Sequence, residues 1–149
     1  MYIFTEQNAL FYPMQHQLLD NKYAQVVVLD SASTIICILK TDYVPMKDFQ
    51  EIFAQIGAYI KEHPTQKMIL DKRNLKVFHQ ASMVWYHVEW KKEMKQYGLA
   101  VYRKLLPKDD FFRKAVEIGR KGIVKDHPDF RFEDFDIRYC ETIEEALQS

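Results

Sequence analysis

Ile35-Ile36-Cys37-Ile38-Leu39 is an unbroken apolar run dominated by β-branched residues. Successive side chains of a strand point to opposite faces, so a strand of this composition has to be covered on both. That requirement predicts a sheet lying between other layers. Val26-Val27-Val28-Leu29 is a second such run, and Asp30-Ser31-Ala32-Ser33 between the two has turn composition. Together they predict a β-hairpin.

Beyond the hairpin the period changes. Phe49, Ile52, Phe53, Ile56 and Ile60 recur at helical spacing, predicting a helix over about 45–62, with Pro45 in its first turn and His63-Pro64 at its end. Lys67–Asp71 predicts a strand, 72–74 a polar loop, and 79–96 a second long helix bounded by Gly98. A strand over 99–106 stops at Pro107. A helix over about 108–121 carries Phe112, Ala115, Val116 and Gly119 on one face. A charged, aromatic loop fills 122–134, and the last strand spans 135–140. Thr142-Ile143-Glu144-Glu145 is a capping-box signature for a short final helix. Residues 1–20 are mixed, with short apolar runs at Tyr2-Ile3-Phe4 and Leu10-Phe11-Tyr12, and are expected to form an extension as edge strands or a strap. The predicted order is β-β-α-β-α-β-α-β-α: an α/β domain with a mixed sheet whose parallel part is covered by helices.

A chain of 149 residues fits one domain, 1–149, with a core that needs no staples. Lys+Arg and Asp+Glu both total 21, so the basic excess that phosphate neutralisation demands is missing and no nucleic-acid partner is expected. Lys91, Lys92 and Lys95 are interleaved with Glu89 and Glu93, which predicts a solvated helix face. Cys37 and Cys140 both lie in apolar runs and are expected as buried free thiols in a reducing compartment. With no signal-like start and no apolar run long enough to span a membrane, the expected location is cytoplasmic.

Met68-Ile69-Leu70-Asp71-Lys72-Arg73-Asn74-Leu75-Lys76-Val77, Trp85-Tyr86-His87-Val88-Glu89-Trp90, and Ile137-Arg138-Tyr139 with Ile143-Glu144-Glu145-Ala146 carry a resemblance across residues 23–149. In this order they resemble the STAS superfamily, in particular its bacterial SpoIIAA-like branch, related in fold to CRAL-TRIO lipid-binding domains. The resemblance implies a STAS-like mixed sheet and a non-enzymatic binding or regulatory module acting through protein–protein contacts. Its CRAL-TRIO side implies the alternative, a carrier of a small apolar or amphipathic ligand. Anti-sigma antagonists of the superfamily are phosphorylated on a serine at the start of this second helix. Here His79-Gln80-Ala81 stands where they have Asp-Ser-Ser, with Ser82 a step away, so no phosphorylation switch is expected.

Asp71, Arg73 and Asn74 fall where a parallel strand feeds a helix, the usual ligand edge of an open α/β sheet. They could grip a ligand or partner, or Asp71 could accept loop N–H groups and pair with Arg73. With His79 and Trp85 they form the candidate binding region. On the second helix Ala81, Val84, Trp85 and Val88 share one side, while Met83, Tyr86, Trp90, Met94 and Tyr97 cluster nearly opposite. The Trp90 side is expected in the core. The Trp85 side is expected to meet the N-terminal segment, a second copy in a homodimer, or an apolar ligand. His79 and His87 are two turns apart and cannot chelate as an i, i+4 pair, and no glycine-rich phosphate loop or nucleophile elbow is present. Neither a metal nor a cofactor is expected.

Overall fold

The computed structural model describes residues 15–149. Its strands are β1 (Gln15–Asp20), β2 (Ala24–Leu29), β3 (Thr34–Leu39), β4 (Lys67–Asp71), β5 (Val101–Leu105) and β6 (Asp136–Tyr139). They form one sheet in the order β1-β2-β3-β4-β5-β6. β1–β2 and β2–β3 pair antiparallel, and β3–β4, β4–β5 and β5–β6 pair parallel. The α/β class and the mixed sheet are as expected, with one strand more than the sequence suggested. Gln15–Asp20 has only Leu18 and Leu19 as apolar residues, and its register on β2 shifts between Gln17 and Leu19. A half-exposed edge strand needs no apolar run, so nothing in its composition announces it. The earlier runs at 2–4 and 10–12 lie outside the described residues.

The hairpin β2–β3 forms as predicted, with Val28 opposite Ile35 and Ser33 in the left-handed region at φ 47°. Every residue of β2 and β3 is buried. On one face Ile35, Cys37, Leu39, Met68, Leu70 and Tyr102 share a core with helix α1 (Met46–Glu62) and helix α2 (80–95). On the other face Ile36, Ile38, Ile69 and Leu105 pack with Ile143 and Ala146 of α4 (Ile143–Gln148). Alternation of side chains explains why one strand supplies both cores.

Helix α1 buries the predicted stripe Phe49, Ile52, Phe53, Ile56 and Ile60. Helix α2 comprises α-helical Gln80–Val84, a π-helical stretch Trp85–Trp90, and α-helical Lys91–Lys95. Gly98 follows at φ +96°, ending it where the sequence placed its boundary. Helix α3 spans Asp110–Asp126, five residues further than expected, because Ile123 continues the Phe112, Val116, Gly119 stripe. Asp109 caps α3, its carboxylate accepting the N–H groups of Phe111 and Phe112. Thr142 caps α4 through Glu145 N–H, while the Glu145 carboxylate takes the N–H of Glu141 rather than of Thr142. Both cysteines are buried and free.

Trp90 lies in the larger core, its indole N–H donating to the Phe53 carbonyl at 2.8 Å and its ring meeting Phe53 edge-on. Trp85 is half-buried, with an edge contact to Phe49. Trp85 and Trp90 thus both meet α1, while Ala81 of the Trp85 stripe is exposed and Val88 borders a surface cleft with His127 and Phe130. Tyr97 does not extend the Trp90 stripe as expected: it lies beyond the end of α2, 38% exposed, under the Lys61 ammonium. Trp90→Ala should destabilise the fold by about 3–5 kcal/mol, the usual cost of truncating a core aromatic, and Trp85→Ala by clearly less. Urea unfolding midpoints of the two variants provide the comparison.

Candidate functional site

β4 ends at Asp71, whose side chain turns to the α4 face and is 4% exposed. Its carboxylate accepts the Arg73 backbone N–H at 3.0 Å and two guanidinium N–H groups, at 3.0 and 2.8 Å. Asn74 donates from Nδ2 to the Leu39 carbonyl at 3.0 Å, tying the loop to the end of β3. The polar groups of this predicted trio are engaged in fixing the loop. His79 caps α2, with Nδ1 accepting the Ser82 N–H at 3.3 Å and facing the Ser82 hydroxyl at 2.7 Å. The structure thus sets the Asp71–Asn74 trio at one corner and His79 near the opposite face of β4, with Trp85 a turn further along α2.

The residue beside Asp71 is the more consequential one. Lys72 directly follows β4, its N–H donating to the Leu105 carbonyl at 2.8 Å, and it is buried although the sequence reads as polar loop. Alternation sends its side chain to the α2 face, below Leu70. Lys104 of β5 is in register with Leu70 and is also buried. From α2, His87 and Lys91 complete the group, at 3% and 0% exposed. A π-turn bonds i to i+5 and winds fewer degrees per residue, so Tyr86, Trp90 and Lys91 share the inward face. Lys91 therefore does not belong to the solvated face predicted for it; Lys92 and Lys95 do.

Lys104 Nζ lies 3.3 Å from His87 Nε2, and Lys72 Nζ lies 3.3 Å from Met83 Sδ. Lys91 Nζ sits among aromatic rings, 4.1 Å from the Tyr102 centroid and 4.8 Å from that of Tyr86. Among the described residues it has no hydrogen-bond partner, and neither do His87 Nδ1 nor the Tyr86 and Tyr102 hydroxyls. Among the described residues no carboxylate pairs with the three amines; their charged neighbours are one another and Arg120. Burial, followed by Arg120, lowers Lys72 to about 8. Burial and neighbouring cations hold Lys91 and Lys104 well below the ordinary lysine range. His87 is likewise pushed well below the usual imidazole value, first by burial and then by Lys104. Tyr86 and Tyr102 are raised by burial. Burial thus disfavours the charged form of each of these basic groups.

Arg120 links this interior to the surface. Its guanidinium covers Phe132 at 4.2 Å, and Nη1 donates to the Tyr139 hydroxyl at 2.9 Å. It also lines a groove of about 540 Å³ between α3 and the ends of β5 and β6, where Leu106, Val116 and Cys140 supply apolar wall and Arg113 a second guanidinium. The groove lies at the carboxyl ends of parallel strands, where open α/β sheets take ligands.

Sequence reasoning found this edge of the sheet and missed these residues. One signal was present: His87 and Lys91 lie four and eight residues after Met83, on the stripe that ends at Met94. For Lys104 there was none, since a lysine near a strand end ordinarily faces water. No cluster of His, Cys, Asp and Glu suited to a metal occurs among the described residues. No family model matches this chain, and no curated protein matches it.

Asp71→Ala should cost about 1–3 kcal/mol in urea melts, because three loop donors lose their acceptor. A second expectation concerns pH. Unfolded lysines keep their protons to about pH 10.4, while folded Lys72 releases its proton near 8 and Lys91 and Lys104 are also held well below the ordinary lysine range. In that window the unfolded chain binds more protons, so stability rises with pH. Unfolding free energy should increase by at least about 1 kcal/mol between pH 7.5 and 9.5, given about 1.4 kcal/mol per proton per pH unit. It should fall below pH 6.5, where only the unfolded His87 charges readily. A flat profile over 7.5–9.5 would mean the amines are charged in the native state.

Proposed function

We propose that this chain is a non-enzymatic binding module for a small amphipathic anion, a carboxylate or phosphate head on a short apolar body. One observation carries the reading: three lysine amines and an imidazole are buried near the ends of β4 and β5, with no carboxylate among them in the described residues. An uncompensated buried ammonium costs several kcal/mol, so an arrangement of this kind gains most from an anion that supplies the missing charge. Arg120 receives the head at the groove, whose wall also carries Glu117 and Glu141, the latter paired with Arg113 at 3.7 Å, and Leu106 and Val116 accommodate the apolar body.

The STAS-like, SpoIIAA-type assignment belongs to the same proposal, with the hairpin-first mixed sheet as its support. The ligand-carrier side is favoured over a partner surface on Asp71–Trp90, because Asp71, Arg73 and Asn74 are engaged within their own loop. Ser82 is 3% exposed beneath the His79 cap, which supports regulation without phosphorylation there. Work in a reducing, cytoplasmic setting agrees with two buried free thiols. A protein partner or second copy is the companion reading, favoured by Phe111 and Ile118, which are 89% and 59% exposed one heptad apart on α3.

Calorimetric titration with decanoate and with octyl phosphate, at pH 8 in two buffers of different ionisation enthalpy, tests the reading. One-to-one binding with proton uptake is expected, since the anion raises the amines it pairs with. Lys104→Met should weaken binding about 10- to 100-fold, the loss of one charge-assisted contact. Failure of either anion to bind, with no small molecule retained in native mass spectra, sinks the proposal.

A further inference from the structure

A second cavity, distinct from the α3 groove, lies on the other side of the amine cluster. It holds about 30 Å³ and is walled by Val44, Phe49, Leu75 and Phe78. Its polar lining includes Lys72, His79 and Ser82. Tyr43 and Val77 form its outer part and are 39% and 48% exposed, so the cavity opens to solvent there. The space is about the volume of one water molecule in the liquid, room for a small polar group whose remainder lies toward Tyr43 and Val77.

Within it, Lys72 Nζ has a thioether as its hydrogen-bond contact, Met83 Sδ at 3.3 Å, and no carboxylate partner. The groups facing it are all cationic or neutral: His87 and Lys91 from α2, Lys104 from β5 and Arg120 from α3. Desolvation beside other cations is the arrangement that leaves a lysine free to act as a nucleophile. Ser82 Oγ and His79 Nδ1, 2.7 Å apart, line the same cavity.

We propose that Lys72 is a reactive amine that condenses with a small aldehyde or ketone admitted to this cavity, with the Ser82–His79 pair relaying the proton. The Lys72 lone pair attacks the carbonyl carbon, forming the C–N bond and sending the C=O π electrons to oxygen. The nitrogen gives up a proton through the relay, and the oxygen gains one. A second proton passed through the relay makes that hydroxyl leave as water, and the iminium so formed returns its N–H proton to the relay, leaving the C=N bond. Nothing is oxidised or reduced, and one water is released per adduct. The cavity differs from the groove of the anion proposal, but Lys72 belongs to both, so the inference applies to protein free of bound anion.

The test is reductive trapping of the full chain with propionaldehyde and cyanoborohydride, followed by peptide mapping. At pH 7 an amine titrating near 8 is neutral about two orders of magnitude more often than an exposed lysine. Lys72 should therefore acquire the propyl group at least about tenfold faster than the exposed lysines, allowing for its lower basicity. Its labelling rate should reach half its maximum near pH 8, while the exposed lysines continue to gain above that. Lys72→Arg should lose the fast phase alone; if that variant does not fold by circular dichroism, the wild-type map at pH 7 and pH 9 decides. Ser82→Ala should slow the fast phase several-fold with an unchanged midpoint, and an unchanged rate removes the relay. Labelling of Lys72 no faster than that of the exposed lysines overturns the proposal.

Discussion

Burial of β3 on both faces is the constraint from which the architecture follows. Its residues from Thr34 to Leu39 are all buried, so each face must be covered by a different layer. Helices α1 and α2 cover one face and α4 covers part of the other. The parallel pairs β3–β4 and β4–β5 need crossover connections, and the long helices that make those connections are the ones that close the larger core. The strand ends are thereby brought to one edge, with Lys72 and Lys104 carried inward by the same alternation that buries Leu70 and Tyr102.

The interior of that edge is where the fold departs from the economy of an apolar core. Positions on the α2 face of β4 and β5 run Met68, Leu70, Lys72 and Tyr102, Lys104, so each strand turns from apolar to basic as it reaches the loops. The π-helical stretch of α2 answers this by presenting His87 and Lys91 from the opposite side. Four basic groups without a counter-charge cost stability unless they shed protons or meet an anion, and both routes link folding, pH and ligand occupancy. Aromatic rings of Tyr86 and Tyr102 soften the cost around Lys91 without supplying a hydrogen-bond acceptor.

The Asp71 loop shows the complementary case. Asp71, Arg73 and Asn74 have the composition of a binding site and stand at the expected edge, yet their hydrogen bonds are directed inward to the loop and to Leu39. Asp71 and Lys72 are adjacent in sequence and face opposite sides of the sheet. One stabilises a connection, while the other enters the amine cluster. Residue type alone would assign the two the other way round.

The apolar periods determined which segments become helix or strand, and the hairpin, the α1 stripe, the Gly98 boundary and the core role of Trp90 were legible from them. Those features rest on local preference and on burial of contiguous residues, which a one-dimensional pattern records. β1 was not legible, because an edge strand is held by backbone pairing to β2 and needs little apolar side-chain surface. The amine cluster was not legible either: Lys72, Lys91 and Lys104 come from three elements, and each alone reads as an ordinary solvated lysine. Only the register of β4 on β5 and the altered winding of α2 bring them into one desolvated space. The sequence determined the layers; tertiary structure decided which charges they enclose, because burial of a polar group depends on what packs over it rather than on its neighbours along the chain.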